Sequence, residues 1–260
     1  MRPPIPVAVK NGRVIIEYID MIYDIAGLRI FIDNKHPYTD KFCKKYLSED
    51  QESSFDLTAN ITQEEFLEEK NSSPKFSDGY IENICLYRSI CRQIPLFNRF
   101  LLHAAVLDYQ GKGYAFLGRS GTGKSTHTGL WLKHIREAKI VNGDKPILEY
   151  SNEQFIVHGT PWMGKEGLGE KSQTPLCGLC FLEQAKENSI QRLTPSEMSA
   201  RLFTQILLPE EEESVVLTLD LIDKMIMQVP AFLLKCTISE EAVQMSYENL
   251  TGNHYSDLNK

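Results

Sequence analysis

The chain is poor in several things. Its 260 residues carry a formal net charge of −7, so no overall basic field exists to hold a nucleic acid. No uninterrupted apolar stretch is long enough to cross a bilayer. The first residues, Met1-Arg2-Pro3-Pro4-Ile5-Pro6, lack the apolar core of a signal peptide. Six cysteines in so long a chain do not make a disulfide scaffold. They read as reduced thiols, and the expected location is the cytoplasm. Internal repeats and low-complexity segments are absent as well. A hydrophobic content of 42% does remain, enough to bury a sizeable core.

One stretch stands out. Gly118-Arg119-Ser120-Gly121-Thr122-Gly123-Lys124-Ser125 fits G-x-x-x-x-G-K-[ST] at every fixed position. The apolar run Tyr114–Leu117 precedes it, and a helix-like pattern with Leu130, Trp131 and Leu132 follows. Strand, glycine-rich turn and helix are the context this motif needs. Its glycines let the backbone wrap a phosphate chain, and the helix start adds partial positive charge. Lys124 is suited to the β- and γ-phosphates and the Ser125 hydroxyl to Mg²⁺, with Thr126 next to them. The expected cofactors are ATP, or another nucleoside triphosphate, and Mg²⁺.

The flanks add candidates. Arg99–Tyr109 reads as one strand, Gln110-Gly111 as a tight turn, and Lys112–Leu117 as the strand feeding the loop. A turn that short makes the two strands antiparallel. If the hairpin centres between residues 110 and 111, His103 falls opposite Gly118. A core histidine between Leu101, Ala105 and Leu107 is the plainer alternative. Lys139–Asp144 reads as a buried strand ending in a carboxylate, the usual place for a second Mg²⁺ contact. A turn aspartate before Lys145-Pro146 is its alternative. Gly159–Gly169 is a glycine-rich loop with Trp162, Lys165 and Glu166 as candidate substrate contacts. A structural turn anchored by Trp162 is an equal reading. Cys177-Gly178-Leu179-Cys180 has C-x-x-C spacing inside an apolar run. On a regular strand its two thiols face opposite ways, so both are expected to be buried, reduced and metal-free.

Elsewhere, Asn11-Gly12 signals a hairpin. Strands are expected over Gly27–Asp33 and around Phe55, Leu57 and Ala59, with a short helix over Thr39–Leu47. Thr62–Glu65 has capping-box spacing, Glu69–Asp78 reads as a loop, and a helix follows to Pro95. Strands are expected at Ile147–Tyr150 and Phe155–His158. Thr194–Glu197 caps a helix running to Pro209, and another spans Glu211–Gln228. Ala231–Cys236 is a strand, Ser239–Leu250 a helix, and Thr251–Lys260 a frayed tail.

The order of these parts resembles the HPr kinase/phosphorylase and phosphoenolpyruvate carboxykinase superfamily. The His103 strand, the hairpin into Gly118–Ser125, and Asp144 carry the resemblance, from about residue 99 to 183. The interval from His103 to Lys124 is similar to that in bacterial HPr kinase. Gly159-Thr160-Pro161-Trp162 with Gly164-Lys165-Glu166 looks still more like a branch of HPr-kinase-related bacterial proteins. Gly143-Asp144 departs from the two adjacent aspartates usual in the superfamily, and no arginine-rich segment is evident. The resemblance implies an α/β fold of the carboxykinase/HPr kinase C-terminal P-loop type, with a mixed, largely antiparallel sheet. A small α+β segment, 1–95, would pack on a kinase-like domain, 96–250, followed by a tail, 251–260. The implied activity is ATP- and Mg²⁺-dependent phosphoryl transfer to a hydroxyl. Lys124, Asp144 and His103 are then the catalytic residues, and Ser125 and Asp144 the metal-side ones. The acceptor would be a protein, peptide or small molecule, with no nucleic acid or membrane partner and with homo-oligomer formation left open. A carboxykinase on a small carboxylic acid and a non-catalytic nucleotide-binding regulatory module are the alternatives.

Overall fold

The computed structural model describes residues 7–10, 13–16 and 21–259. It divides into two compact units, Met1–Gln93 and Ile94–Lys260.

In the first unit, β1 (Val7–Lys10) and β2 (Arg13–Ile16) pair antiparallel with Lys10 opposite Arg13. The expected turn residues Asn11 and Gly12 lie outside the described residues. β3 (Met21–Ile25) and β4 (Leu28–Ile32) form a second hairpin. Its turn, Ala26-Gly27, has φ of 53° and 74°, the positive values a two-residue hairpin turn requires. β5 (Leu57–Ala59) adds parallel to β4. Helices α1 (Pro37–Cys43), α2 (Gln63–Ser72) and α3 (Asp78–Gln93) complete the unit. The Thr62–Glu65 capping box forms as expected. The expected loop over 69–78 shrinks, because α2 runs on to Ser72 and α3 begins at Asp78.

The second unit is a nine-stranded mixed sheet with helices on both faces. Its strands are β6 (Arg99–Leu101), β7 (Ala104–Tyr109), β8 (Lys112–Leu117), β9 (Lys139–Asn142), β10 (Ile147–Ser151), β11 (Gln154–His158), β12 (Gln173–Gln184), β13 (Ser189–Arg192) and β14 (Ala231–Cys236). The main path is β6-β10-β11-β12-β8-β7-β9, with β14 joining β12 to β13. Only β12 with β8 and β12 with β14 pair parallel; the other pairs in this sheet are antiparallel. The helices are α4 (Lys124–His134), α5 (Pro195–Leu202), α6 (Glu212–Gln228) and α7 (Glu240–Thr251). Leu117, Val141, Leu179 and Phe181 pack with Met198 and Leu202 of α5 and Leu221, Ile222 and Met225 of α6. On the other face Tyr114, Phe116 and Cys180 pack with Trp131 of α4 and Val243 and Tyr247 of α7.

The hairpin β7–β8 has the expected register, Tyr109 opposite Lys112 through Ala104 opposite Leu117. Gln110 and Gly111 have φ of 53° and 74°. The expected single strand over 99–109 is instead two. At the break, the Leu102 N–H donates to Pro146 O and the His103 N–H to Gln205 O. These distant carbonyls replace ladder partners, so β6 leaves to pair with β10 while β7 stays beside β8.

Three further expectations change. α5 ends at Leu202 rather than at Pro209, because Gln205 and Ile206 are drawn onto the 102–103 break. The expected frayed tail instead forms a 3₁₀ turn over Tyr255–Asn259. There the Tyr255 N–H donates to Glu248, and its ring packs edge-on to Tyr247. The third concerns the cysteines. The β12–β8 register shifts between Leu176 and Gly178, a bulge that turns Cys177 and Cys180 toward the same face. Both are free thiols, Cys180 buried and Cys177 only half-buried.

Candidate functional site

The glycine-rich stretch lies between the end of β8 and the start of α4. Gly118, Gly121 and Gly123 have φ of 155°, 84° and 102°, values that side chains other than glycine rarely adopt. The loop closes on itself where the Thr122 backbone N–H and side-chain hydroxyl both donate to Arg119 O. Gln184, at the end of β12, donates to Gly121 O at 3.0 Å. Arg119, Ser120, Gly121, Ser125 and Thr126 are exposed at the mouth, whereas Lys124 is buried.

The Lys124 ammonium turns back into the loop. Its Nζ donates to Gly118 O at 2.7 Å and lies 3.1 Å from His103 Nε2. Burial lowers its pKa, and the nearby Asp144 carboxylate acts in the opposite sense. His103 Nε2 also lies 3.1 Å from Asp144 Oδ1. One ring nitrogen can accept from the ammonium or donate to the carboxylate, but not both at once. His103 is therefore the link between the two ends of the site. Its place just past the β7 ladder, one residue before Ala104, puts it at the loop mouth rather than in the core.

Asp144 is set by its neighbours. The fully buried Asn142 side chain accepts the N–H groups of Asp144 and Lys145, and its amide donates to Thr160 O and Oγ1. This ties the end of β9 to the following loop. Burial pushes the Asp144 pKa up, but hydrogen bonds from His103 and Lys145, with their charges, more than offset it. The result is a pKa of about 2, below the ordinary 3.8. Lys145 Nζ donates to Asp144 Oδ2 at 2.8 Å. Reading the sequence passed over Lys145 and Asn142. The lysine beside the carboxylate and the N-x-D spacing of an Asx turn were the available signals.

Residues 159–169 fold down over this segment. A Cβ on Gly143 would come 2.7 Å from Met163 O and 3.0 Å from Leu168 O. A Cβ on Gly164 would come 3.0 Å from that of Asp144. The glycines are there because two backbones meet closely. Trp162 is buried and its carbonyl accepts the Lys145 N–H, which makes it an anchor. Lys165 and Glu166 are exposed at the tip. Ser125, Thr128, Gly143, Met163, Glu166 and Leu168 line one cleft, so the loop tip faces the start of α4.

Among the described residues, no group of three or more His, Cys, Asp or Glu side chains could hold a metal alone. Ser125 and Glu166 share the cleft, and Asp144 and Glu166 both approach Gly164, so a few hard oxygen donors lie in this region instead. That set fits Mg²⁺, which keeps several waters and is shared with substrate phosphates.

No protein-family model matches the chain, and no curated protein matches it. Among solved structures it is similar to the Hpr(Ser) kinase/phosphatase from Coxiella burnetii. The identity is 13%, over 61% of this chain and 92% of that one, with a TM-score of 0.34.

Proposed function

We propose that this chain binds ATP with Mg²⁺ through the Gly118–Ser125 loop and transfers a phosphoryl group to a hydroxyl. It would then be a distant member of the HPr kinase/carboxykinase P-loop superfamily. The observation that carries the reading is the convergence of Lys124, His103 and Asp144 at the mouth of a strand–loop–helix turn. Phosphoryl transfer needs positioning and charge neutralisation more than covalent chemistry. Lys124 and the start of α4 hold the phosphates. Ser125, Asp144 and the Glu166 carboxylate stand on the metal side, and Mg²⁺ when bound neutralises charge on the phosphate oxygens. The depressed pKa of Asp144 keeps it ionised at neutral pH. His103 orients Asp144 beside the transferred group. Lys165 and Glu166, exposed at the loop tip, would meet the hydroxyl acceptor, and the buried Trp162 fixes their loop.

A second reading has its own support. Position 143 has no room for another carboxylate, and a site with a single aspartate there also suits a nucleotide-binding module that switches a partner without turnover. Incubation with γ-labelled ATP and hydroxyl acceptors separates the two. Transfer by the wild type is expected. Asp144→Asn should lower its rate by about 10²-fold or more, with a smaller change in ATP affinity, and His103→Ala should lose part of it. Nucleotide binding without transfer to any acceptor favours the switch. Equal rates for wild type and Asp144→Asn contradict the mechanism.

A further inference from the structure

We propose that Lys145 is a second phosphate-binding cation of this site, meeting the terminal phosphate while Lys124 meets the phosphates inside the loop. The inference rests on the ATP-site reading above.

The Lys145 backbone is held from three directions. Its N–H donates to Asn142 Oδ1 at 2.8 Å and to Trp162 O at 3.1 Å. Its carbonyl accepts from Thr160 Oγ1 at 2.7 Å. The side chain keeps a third of its surface exposed and brings Nζ to Asp144 Oδ2. Asp144 Oδ1 faces His103 Nε2, which faces Lys124 Nζ. Two ammonium groups thus flank one carboxylate and one imidazole at the loop mouth.

A partly exposed ion pair between sequence neighbours contributes little to stability, so the pairing alone gives no reason for so firmly held a backbone. Charge balance gives one. Met163 O and Leu168 O occupy the space a second carboxylate at position 143 would need. With fewer acidic groups the site draws fewer cations from solution, and more of the triphosphate charge falls to the protein. A metal on Asp144 competes with Lys145 for the same carboxylate. The ammonium then gains by moving onto the adjacent phosphate, where a charge-assisted hydrogen bond replaces the lost one.

The test compares MgATP and MgADP affinities in wild type, Lys145→Met and Lys145→Arg. Methionine keeps the stem and removes the charge, and a urea unfolding midpoint checks that each variant is folded. The expected result is a loss of about tenfold or more in MgATP affinity for Lys145→Met. MgADP affinity should stay within about twofold, and arginine should restore part of the MgATP loss. Equal losses for both nucleotides would mean that Lys145 acts only by orienting Asp144, and would overturn the proposal. So would no loss for either. A wild type that binds neither nucleotide removes the ATP-site reading itself, and the Lys145 assignment with it.

Discussion

At the scale of single residues, Gly143 is the most informative position. A second carboxylate at 143, beside Asp144, looks like a simple gain of function. The geometry argues otherwise. Any Cβ at 143 meets two backbone carbonyls, Met163 O and Leu168 O, and backbone cannot swing away as a flexible side chain can. Gly143→Asp should therefore lower stability by about 1–3 kcal/mol, the usual cost of overpacking. It should not raise any transferase rate. Urea unfolding of the variant checks this, and a variant as stable as wild type would show that the 159–169 loop is not seated as described. Legibility differed from residue to residue around this point. Lys124, Ser125 and Asp144 could be read because each stands in a local pattern with its own chemistry. Lys145 carried only a weak local signal, its place beside the carboxylate, and its contact with Asp144 gains meaning only once His103 and Lys124 arrive from other parts of the chain.

At the scale of elements, the helix that opens at Lys124 is held from behind. His127 Nε2 and Trp131 Nε1 both reach Ser246 Oγ of α7, at 3.0 and 2.8 Å. Ser246 Oγ lies 3.0 Å from Val243 O, and with its proton placed there the neutral His127 tautomer that fits carries its proton on Nε2. Burial lowers the His127 pKa from 6.5 to about 4. The sign follows. Between pH 6.5 and about 4 the unfolded chain binds a proton at His127 that the folded chain does not. Stability from this group is complete above pH 6.5 and falls as pH drops toward 4, by at most about 1.4 kcal/mol per pH unit. Urea unfolding across that range should show a shallower slope in His127→Gln than in wild type. Identical slopes would remove His127 from the acid response. The elements themselves were legible where local chemistry decides them. The capping boxes at Thr62 and Thr194 and the Gln110-Gly111 turn all form. The break at Leu102-His103 and the bulge at Cys177 were not legible. Each is set by partners far along the chain, Pro146 and Gln205 for the break and β8 for the bulge.

At the scale of the whole molecule, the second unit explains why its chemistry gathers at one place. β8, β7 and β9 lie side by side, and their antiparallel pairing brings His103, Gly118 and Asp144 to the same end of the sheet. The antiparallel β7–β8 pair could be anticipated from one short turn, since two residues between the strands exclude a parallel crossover. Most of the remaining strand order could not: β10 and β11 are joined by the local Asn152-Glu153 turn, but β6 beside β10 and β11 beside β12 are set by contacts distant in the chain. This end of the sheet is expected to bind a nucleoside triphosphate. Titration of the full chain with ATP and Mg²⁺, wild type beside Lys124→Ala, tests it most directly. The expected result is saturable binding by wild type and at least about tenfold weaker binding by the variant, with unfolding midpoints showing both proteins folded. Equal affinities, or no binding by a folded wild type, would contradict it.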